Sequence, residues 1–316
     1  MEFFLAHITE DGRKQTVLQH LESTAQRCST SARAFCAAEQ GELAGLAHDL
    51  GKYSNGFQNR LLHDGRRVDH ATAGAFECFK LGHPYAAFAV AGHHSGLPNG
   101  GSQTDTPDSS SFFGRMNRAL QGRLPEYAAW QSELTLPVPP LPSEIEPQME
   151  GMFFTRMLFS CLVDADYSDT AEFMANSPNM TCSNISMDSL VQRLQNYISG
   201  WFPPKGELNT QRCSILERCI QEGERRTPGL YTLTVPTGGG KTVASLAFAL
   251  SQAKAQGLSR IIYVIPYTSI IEQTAQKFRE ILGEDCVLEH HSGVLYDMDQ
   301  EATPEFSRVA HATETW

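Results

Sequence analysis

The side chains best equipped for chemistry in this sequence are histidines and aspartates: His20, the adjacent pair His48-Asp49, His70, the pair His93-His94, and Asp164 and Asp166. A histidine beside an aspartate in one backbone turn puts an imidazole and a carboxylate on neighbouring faces. Both can reach one metal ion while the second carboxylate oxygen reaches another. This mixture of ligands suits Mn, Fe, Co, Ni or Zn, and a carboxylate shared by two ions sets them close together. Such ions lower the pKa of water and stabilise charge on a phosphoryl oxygen, so hydrolysis needs no separate Ser or Cys nucleophile. The expected catalytic centre is therefore His48 and Asp49, with two divalent transition metals as cofactors. Residues 164 and 166 stand about 200° apart on a helix, so only one faces the cluster, and Asp166 is preferred. Lys52 either holds a phosphate, which would make it catalytic, or is a solvated cation near a helix C-terminus. Arg60, Arg66 and Arg67 either track a nucleic-acid backbone or keep a loop soluble, and the second reading is preferred. His7, His63, His83 and His311 are read as surface or satisfied core residues.

A second constellation lies downstream, where the apolar run 230–235 meets Pro236-Thr-Gly-Gly-Gly-Lys-Thr242. A strand, a glycine-rich turn and a helix make a phosphate cradle: the backbone of Gly238, Gly239 and Gly240 approaches the ligand, Lys241 meets the β/γ-phosphates and Thr242 ligates Mg²⁺. ATP with Mg is the cofactor expected there. His290-His291-Ser292-Gly293 repeats the His93–Gly96 string, but no carboxylates accompany it at ligand spacing, so a polar loop is expected.

Helices must position the first set. Val17, Leu21, Ala25, Cys28, Ala32 and Phe35 recur at three- and four-residue intervals, which predicts a helix over 16–38 with His20 on its buried side. A helix over 42–50 would be stopped by Gly51. Asp69 can cap a helix to about Lys80 with His70 in its first turn; 84–92 leads into His93-His94, and 148–165 into Asp164 and Asp166. Residues 97–111 are polar with almost nothing to bury and read as a loop, ordered or disordered. After Trp201-Phe-Pro-Pro204 the pattern becomes helix 208–222, strand 230–235, helix 243–256, strand 260–265 and helix 268–282, the beginning of a parallel sheet with crossovers. The fold class expected is multidomain, an all-α domain over 1–204 followed by the first part of an α/β P-loop domain over 205–316.

At 316 residues the chain fits two domains, and 41% hydrophobic content is ordinary for a globular protein. The net charge is −11, so no general basic field advertises nucleic acid, and strand binding would rest on a local groove or on metal ions. Eight scattered cysteines without a C-x-x-C pair suggest neither a zinc ribbon nor a disulfide framework. With no apolar run long enough to span a bilayer and no signal-peptide pattern at the N-terminus, a cytoplasmic protein is expected.

The pair at 48–49 resembles that of the HD phosphohydrolase superfamily. The strings HDLGKYSNGFQNRL, VDHATAGA, GHHSG and LVDADYSDT more specifically resemble the nuclease domain of type I CRISPR-associated nuclease–helicases, nearest the subtype C-like branch. That resemblance implies one ion held by His20, His48, Asp49 and Asp166 and another by Asp49, His70, His93 and His94. VPTGGGKT, with Val235 at its first position, and PYTSIIEQ over 266–273 look like motifs I and Ia of superfamily-two helicases, and imply a RecA-like domain. Gln211 and Arg212 sit where that family reads adenine, but a solvated helix face is the preferred explanation for them. No acidic helicase motif follows. Thr313-Glu-Thr-Trp316 resembles a family segment with Thr315 in place of asparagine, so the chain is expected to be a piece of a longer protein whose motor is incomplete. The implied function is metal-dependent cleavage of single-stranded DNA, coupled to an ATP-driven helicase and recruited by the RNA-guided surveillance complex (Cascade). The alternatives are an HD nucleotide phosphohydrolase and a non-catalytic module that binds the surveillance complex.

Overall fold

A reciprocal capping box starts the first long helix: the Gln19 N–H donates to the Thr16 hydroxyl and the Thr16 N–H to the Gln19 side chain. This α1 (Val17–Ala32) follows an antiparallel hairpin of β1 (Leu5–Ile8) and β2 (Lys14–Thr16). In this computed structural model, residues 3–63, 68–142, 145, 149–175 and 185–289 are described. They are mostly helical, and the hairpin is the only sheet among them. Arg66, Arg67, His290-His291-Ser292-Gly293, His311 and residues 313–316 lie outside the described residues.

Two compact units divide the chain, the first reaching α7 and the second beginning before α8. In the first, α1 buries Val17, His20, Leu21, Ala25 and Cys28 against α2 (Ala38–Ala47) and α7 (Met149–Ala175). Next come α3 (Asn55–His63), α4 (Ala71–Lys80), α5 (Pro84–Gly92) and α6 (Phe112–Leu120). Leu21, Leu43, Leu50, Val90, Met116, Leu158 and Leu162 share one core.

Two expectations need correcting. The helix expected over 42–50 ends at Ala47, and Gly51 is not its left-handed cap. Gly51 instead accepts a close neighbour, since a Cβ there would meet the His70 carbonyl oxygen at 2.3 Å; at Gly74 a Cβ would meet Ala47 O at 1.7 Å. These two glycines let the start of α4 pack directly on the His48-Asp49 turn. Second, α7 does not stop near 165 but runs on to Ala175, because nothing from Met152 onward, neither Gly nor Pro, interrupts it. The loop expected over 97–111 is present and is tied to α6: Phe112 N–H donates to Asn99 O, and the Asn117 amide donates to Gln103 O and Asp105 O.

The second unit packs α8 (Met187–Ile198), α9 (Glu207–Arg225), α10 (Lys241–Gln256) and α11 (Thr268–Leu282) around Leu194, Ile198, Leu216, Leu246, Leu250, Phe278 and Ile281. Helix α8, upstream of residue 204, thus belongs to the second core. The strands expected at 230–235 and 260–265 are not formed: neither segment takes part in a ladder, and Leu230 and Val264 are 97% and 87% exposed. A helix closes its own hydrogen bonds, whereas a strand exists only through a partner.

Candidate metal centre

Four helix ends and two helix interiors supply the site. His20 projects from the buried side of α1, and His48 is the C-cap of α2. Asp49 (φ −115°, ψ 23°) leaves helical geometry and opens the 3₁₀ turn Leu50–Tyr53. His70 is the N-cap of α4 rather than a member of its first turn, and His93 is the C-cap of α5. Asp166 lies inside α7.

These side chains fall into two groups that share Asp49: His20, His48, Asp49 and Asp166, all buried, and Asp49, His70, His93 and His94, where His94 is exposed. Oδ2 of Asp49 lies 3.4 Å from Nε2 of both His20 and His48, and Oδ1 lies 3.4 Å from Nε2 of both His70 and His93. The two oxygens therefore divide between the groups. Oδ1 of Asp166 is 3.2 Å from His20 Nε2 and 3.6 Å from His48 Nε2. Donors each about 2.1 Å from one ion stand about 3.0 Å apart on an octahedral edge and about 3.4 Å apart on a tetrahedral one. The spacing fits both geometries.

Hydrogen bonding fixes which ring nitrogens face inward. Nδ1 of His48 donates to Gly45 O at 2.8 Å, His93 Nδ1 to Val90 O at 2.7 Å and His70 Nδ1 to Val68 O at 3.2 Å. His20 Nδ1 lies 2.7 Å from Asp169 Oδ2. With the proton on Nδ1, each Nε2 turns a lone pair toward carboxylate oxygens and toward other Nε2 atoms, 3.2 Å apart for His20 and His48. Both Asp49 oxygens and His93 Nε2 are buried without a hydrogen-bond partner. Lone pairs aimed at lone pairs in a buried pocket need a cation between them, so the residues present fit two metal ions.

The electrostatics agree. Burial disfavours charge on His20, but the carboxylates of Asp166, Asp169 and Asp49 outweigh it and push its pKa up to about 10. For His48, burial is likewise overcome by Asp49 and Asp166, giving about 9. Asp49 and Asp166 are held well below the usual carboxylate range despite burial, Asp49 first by Lys52 and then by His48 and His70, Asp166 by His20 and His48. His94 is exposed at the surface, but desolvation of its ring among the clustered imidazoles, aided by His93, lowers its pKa to about 3. The first group demands positive charge and takes protons when no other cation is offered.

Of the sequence candidates, Asp164 alone does not join either group. On α7 it points away from Asp166, and its charge acts instead on the Cys28 and Cys161 thiols. Lys52 is not solvated: it is 5% exposed, with Nζ 2.7 Å from Asp49 Oδ2 at an ion-pair distance without hydrogen-bond alignment. Sequence reasoning misses two participants. Asp169, one turn beyond Asp166, holds His20 and is itself held by the Gln15 amide at 2.8 Å. His7 is half-buried beside the site, its ring centroid 4.9 Å from that of His20 and its Nε2 3.4 Å from Lys52 Nζ. The three-residue step from Asp166 to Asp169 is the signal that could have found the first; nothing in the sequence marks the second.

In the second unit, Gly238 and Gly240 adopt left-handed φ of 82° and 83°, and Gly240 is the N-cap of α10, which begins at Lys241. Lys241 and Thr242 are exposed in its first turn. Arg212 on α9 donates from Nε to Gly238 O at 2.8 Å, so it braces this loop. Gln211 is exposed on the same helix.

Residues 205–306 match the family model described as type III restriction enzyme, res subunit. Over 159 residues the chain is 36% identical to the CRISPR-associated nuclease/helicase Cas3 of Haloferax volcanii, a match covering 40% of this chain and 17% of that protein. The chain thus spans a small part of the length of this relative. Among the described residues no helix is long and apolar enough to cross a membrane.

Proposed function

We propose that this chain is a metal-dependent nuclease acting on single-stranded DNA, with an HD-type domain in the first unit and part of an ATP-dependent, RecA-like helicase domain in the second. The observation that carries the reading is Asp49, a buried carboxylate with one oxygen toward each of two imidazole groups. Two bound divalent ions, drawn from Mn, Fe, Co, Ni or Zn, supply water of lowered pKa and charge stabilisation at a phosphoryl oxygen. The chain's own residues do the rest. His20, His48 and Asp166 would hold one ion and His70, His93 and His94 the other, with Asp49 belonging to both groups. Carbonyls at Gly45, Val68 and Val90 and the Asp169 carboxylate keep each imidazole in the tautomer that presents Nε2. Lys52, pinned beside Asp49, keeps a fixed positive charge next to the shared carboxylate.

The similarity to a nuclease/helicase and the match to a restriction-enzyme subunit support a nucleic-acid substrate over a free nucleotide. Gly238–Thr242 then serves ATP with Mg²⁺, and the RNA-guided surveillance complex is the partner that delivers the strand. Incubating the chain with circular single-stranded DNA and each divalent metal in turn is the test, with His48→Ala and Asp49→Ala as controls. Metal-dependent nicking that both substitutions abolish is expected. Cutting without metal, or cutting indifferent to both, contradicts the proposal; faster turnover of mononucleotides than of DNA would favour a nucleotide phosphohydrolase.

A further inference from the structure

Beside the His70 and His94 group opens a cleft of about 450 Å³ whose lining includes Arg60, Asp69, Ser95 and Arg115 together with those two histidines. Its acidic member is already engaged. Asp69 accepts the Thr72 N–H at 3.1 Å and the Thr72 hydroxyl at 2.6 Å, and Arg118 Nη1 stands 3.6 Å away. Arg115, on α6, donates from Nη1 to Ala91 O at 2.7 Å, near the end of α5 and two residues before His93. A guanidinium offers five donors in a rigid fork, and this bond engages one while fixing the fork's position at the cleft. Arg60 reaches the same cleft from α3. The chain carries net charge −11, so two cations meeting beside the exposed end of the site are not part of a general basic field.

We propose that Arg60 and Arg115 form a phosphate-binding subsite that holds a backbone phosphate of the strand against the His70/His94 group. The proposal rests on the nuclease reading for the identity of the ligand as a polynucleotide phosphate. Fork-to-oxyanion hydrogen bonds position the strand without reading its sequence. Arg115 and Arg60 are positioning residues of the substrate, and neither is required to hold an ion.

The test uses the full chain loaded with the metal that supports cleavage, and a short labelled single strand. Arg115→Gln and Arg60→Gln are each expected to raise KM about tenfold or more with a smaller change in kcat. The slope of log affinity against log salt should fall by about 0.7 for each strand phosphate that is no longer neutralised, which a structural role would not produce. Arg115→Lys keeps the charge, so it should retain most of the salt slope while losing part of the affinity. Metal content should be unchanged in all three. Should Arg115→Gln fail to fold, Arg60→Gln and Arg115→Lys still decide the matter, since unaltered KM and salt slope in Arg60→Gln would overturn the subsite. An unaltered chain that cuts no single strand with any metal overturns the nuclease reading itself. Variants indistinguishable from an active parent overturn the subsite alone.

Discussion

The two candidate sites of this chain are built from different materials. In the first unit, His20 and Asp166 are carried within helices and His48, Asp49, His70 and His93 at helix ends, and these helices close most of their own backbone hydrogen bonds and pack on one core. In the second, the Gly238–Lys241 turn is in place at the start of α10, yet the segments on either side of it, 230–235 and 260–265, take part in no ladder. A helical scaffold completes its site with local hydrogen bonds and face-to-face packing, while a sheet-borne site needs partners distant in sequence. The metal groups should therefore survive changes that leave the nucleotide cradle without support.

The largest effect expected is that of Asp49→Ala. Removing the shared carboxylate should cost more than about a hundredfold in cleavage, exceeding the loss usual for an outer residue, and should lower metal content in both groups. If Asp49→Ala depleted only one ion, the bridge would be wrong. Asp169→Asn comes next: the His20 ring loses its charged anchor, and metal affinity should fall about 10- to 100-fold, measured by competition with a chelator. Unchanged affinity would make Asp169 a packing residue.

A pH series sharpens the comparison from another side. With chelator present, His20 and His48 have folded pKa values of about 10 and about 9, raised above the unfolded value near 6.5. Their stabilisation is full below the unfolded value and is lost as pH rises through the folded ones. The chelated first unit should melt at lower temperature at pH 10 than at pH 6, and metal should bind more tightly as pH rises, because it competes with those protons. A melting temperature flat across that window would contradict the electrostatic picture.

Much of the first site is legible in the sequence because helical spacing is local information. Four-residue steps put His20 on the buried side of α1, and the angle between residues 164 and 166 separates the carboxylate that joins the group from the one that does not. Asp169 stays hidden because the apolar periodicity ends the expected helix near 165, which leaves this residue in a supposed loop. His7 escapes for a different reason, as does the burial of Lys52: both come from the hairpin folding back on α1 and the turn, a tertiary event with no periodic trace. The strands expected at 230–235 and 260–265 rest on composition alone, and β-propensity becomes a strand only where pairing supplies it.

Hydrogen exchange measures that last point. Amides in α1, α2 and α5 should exchange slowly, and those of 230–235 and 260–265 on the fast timescale of unpaired backbone. Slow exchange there would mean a ladder forms in solution. The smallest effect expected is the most discriminating: Lys241→Ala should abolish ATP binding by the chain while leaving metal-dependent cutting of a free single strand within about twofold of the parent. Loss of both together would show that the two sites are coupled.

The central claim is that one carboxylate organises two ions for cleavage, and metal counting tests it most directly. Elemental analysis of the purified chain after saturation and removal of excess metal should find two ions per molecule, with Asp49→Ala losing both the ions and the nicking of circular single-stranded DNA. Retention of two ions by Asp49→Ala, or full nicking activity in a chain stripped of metal, would contradict it.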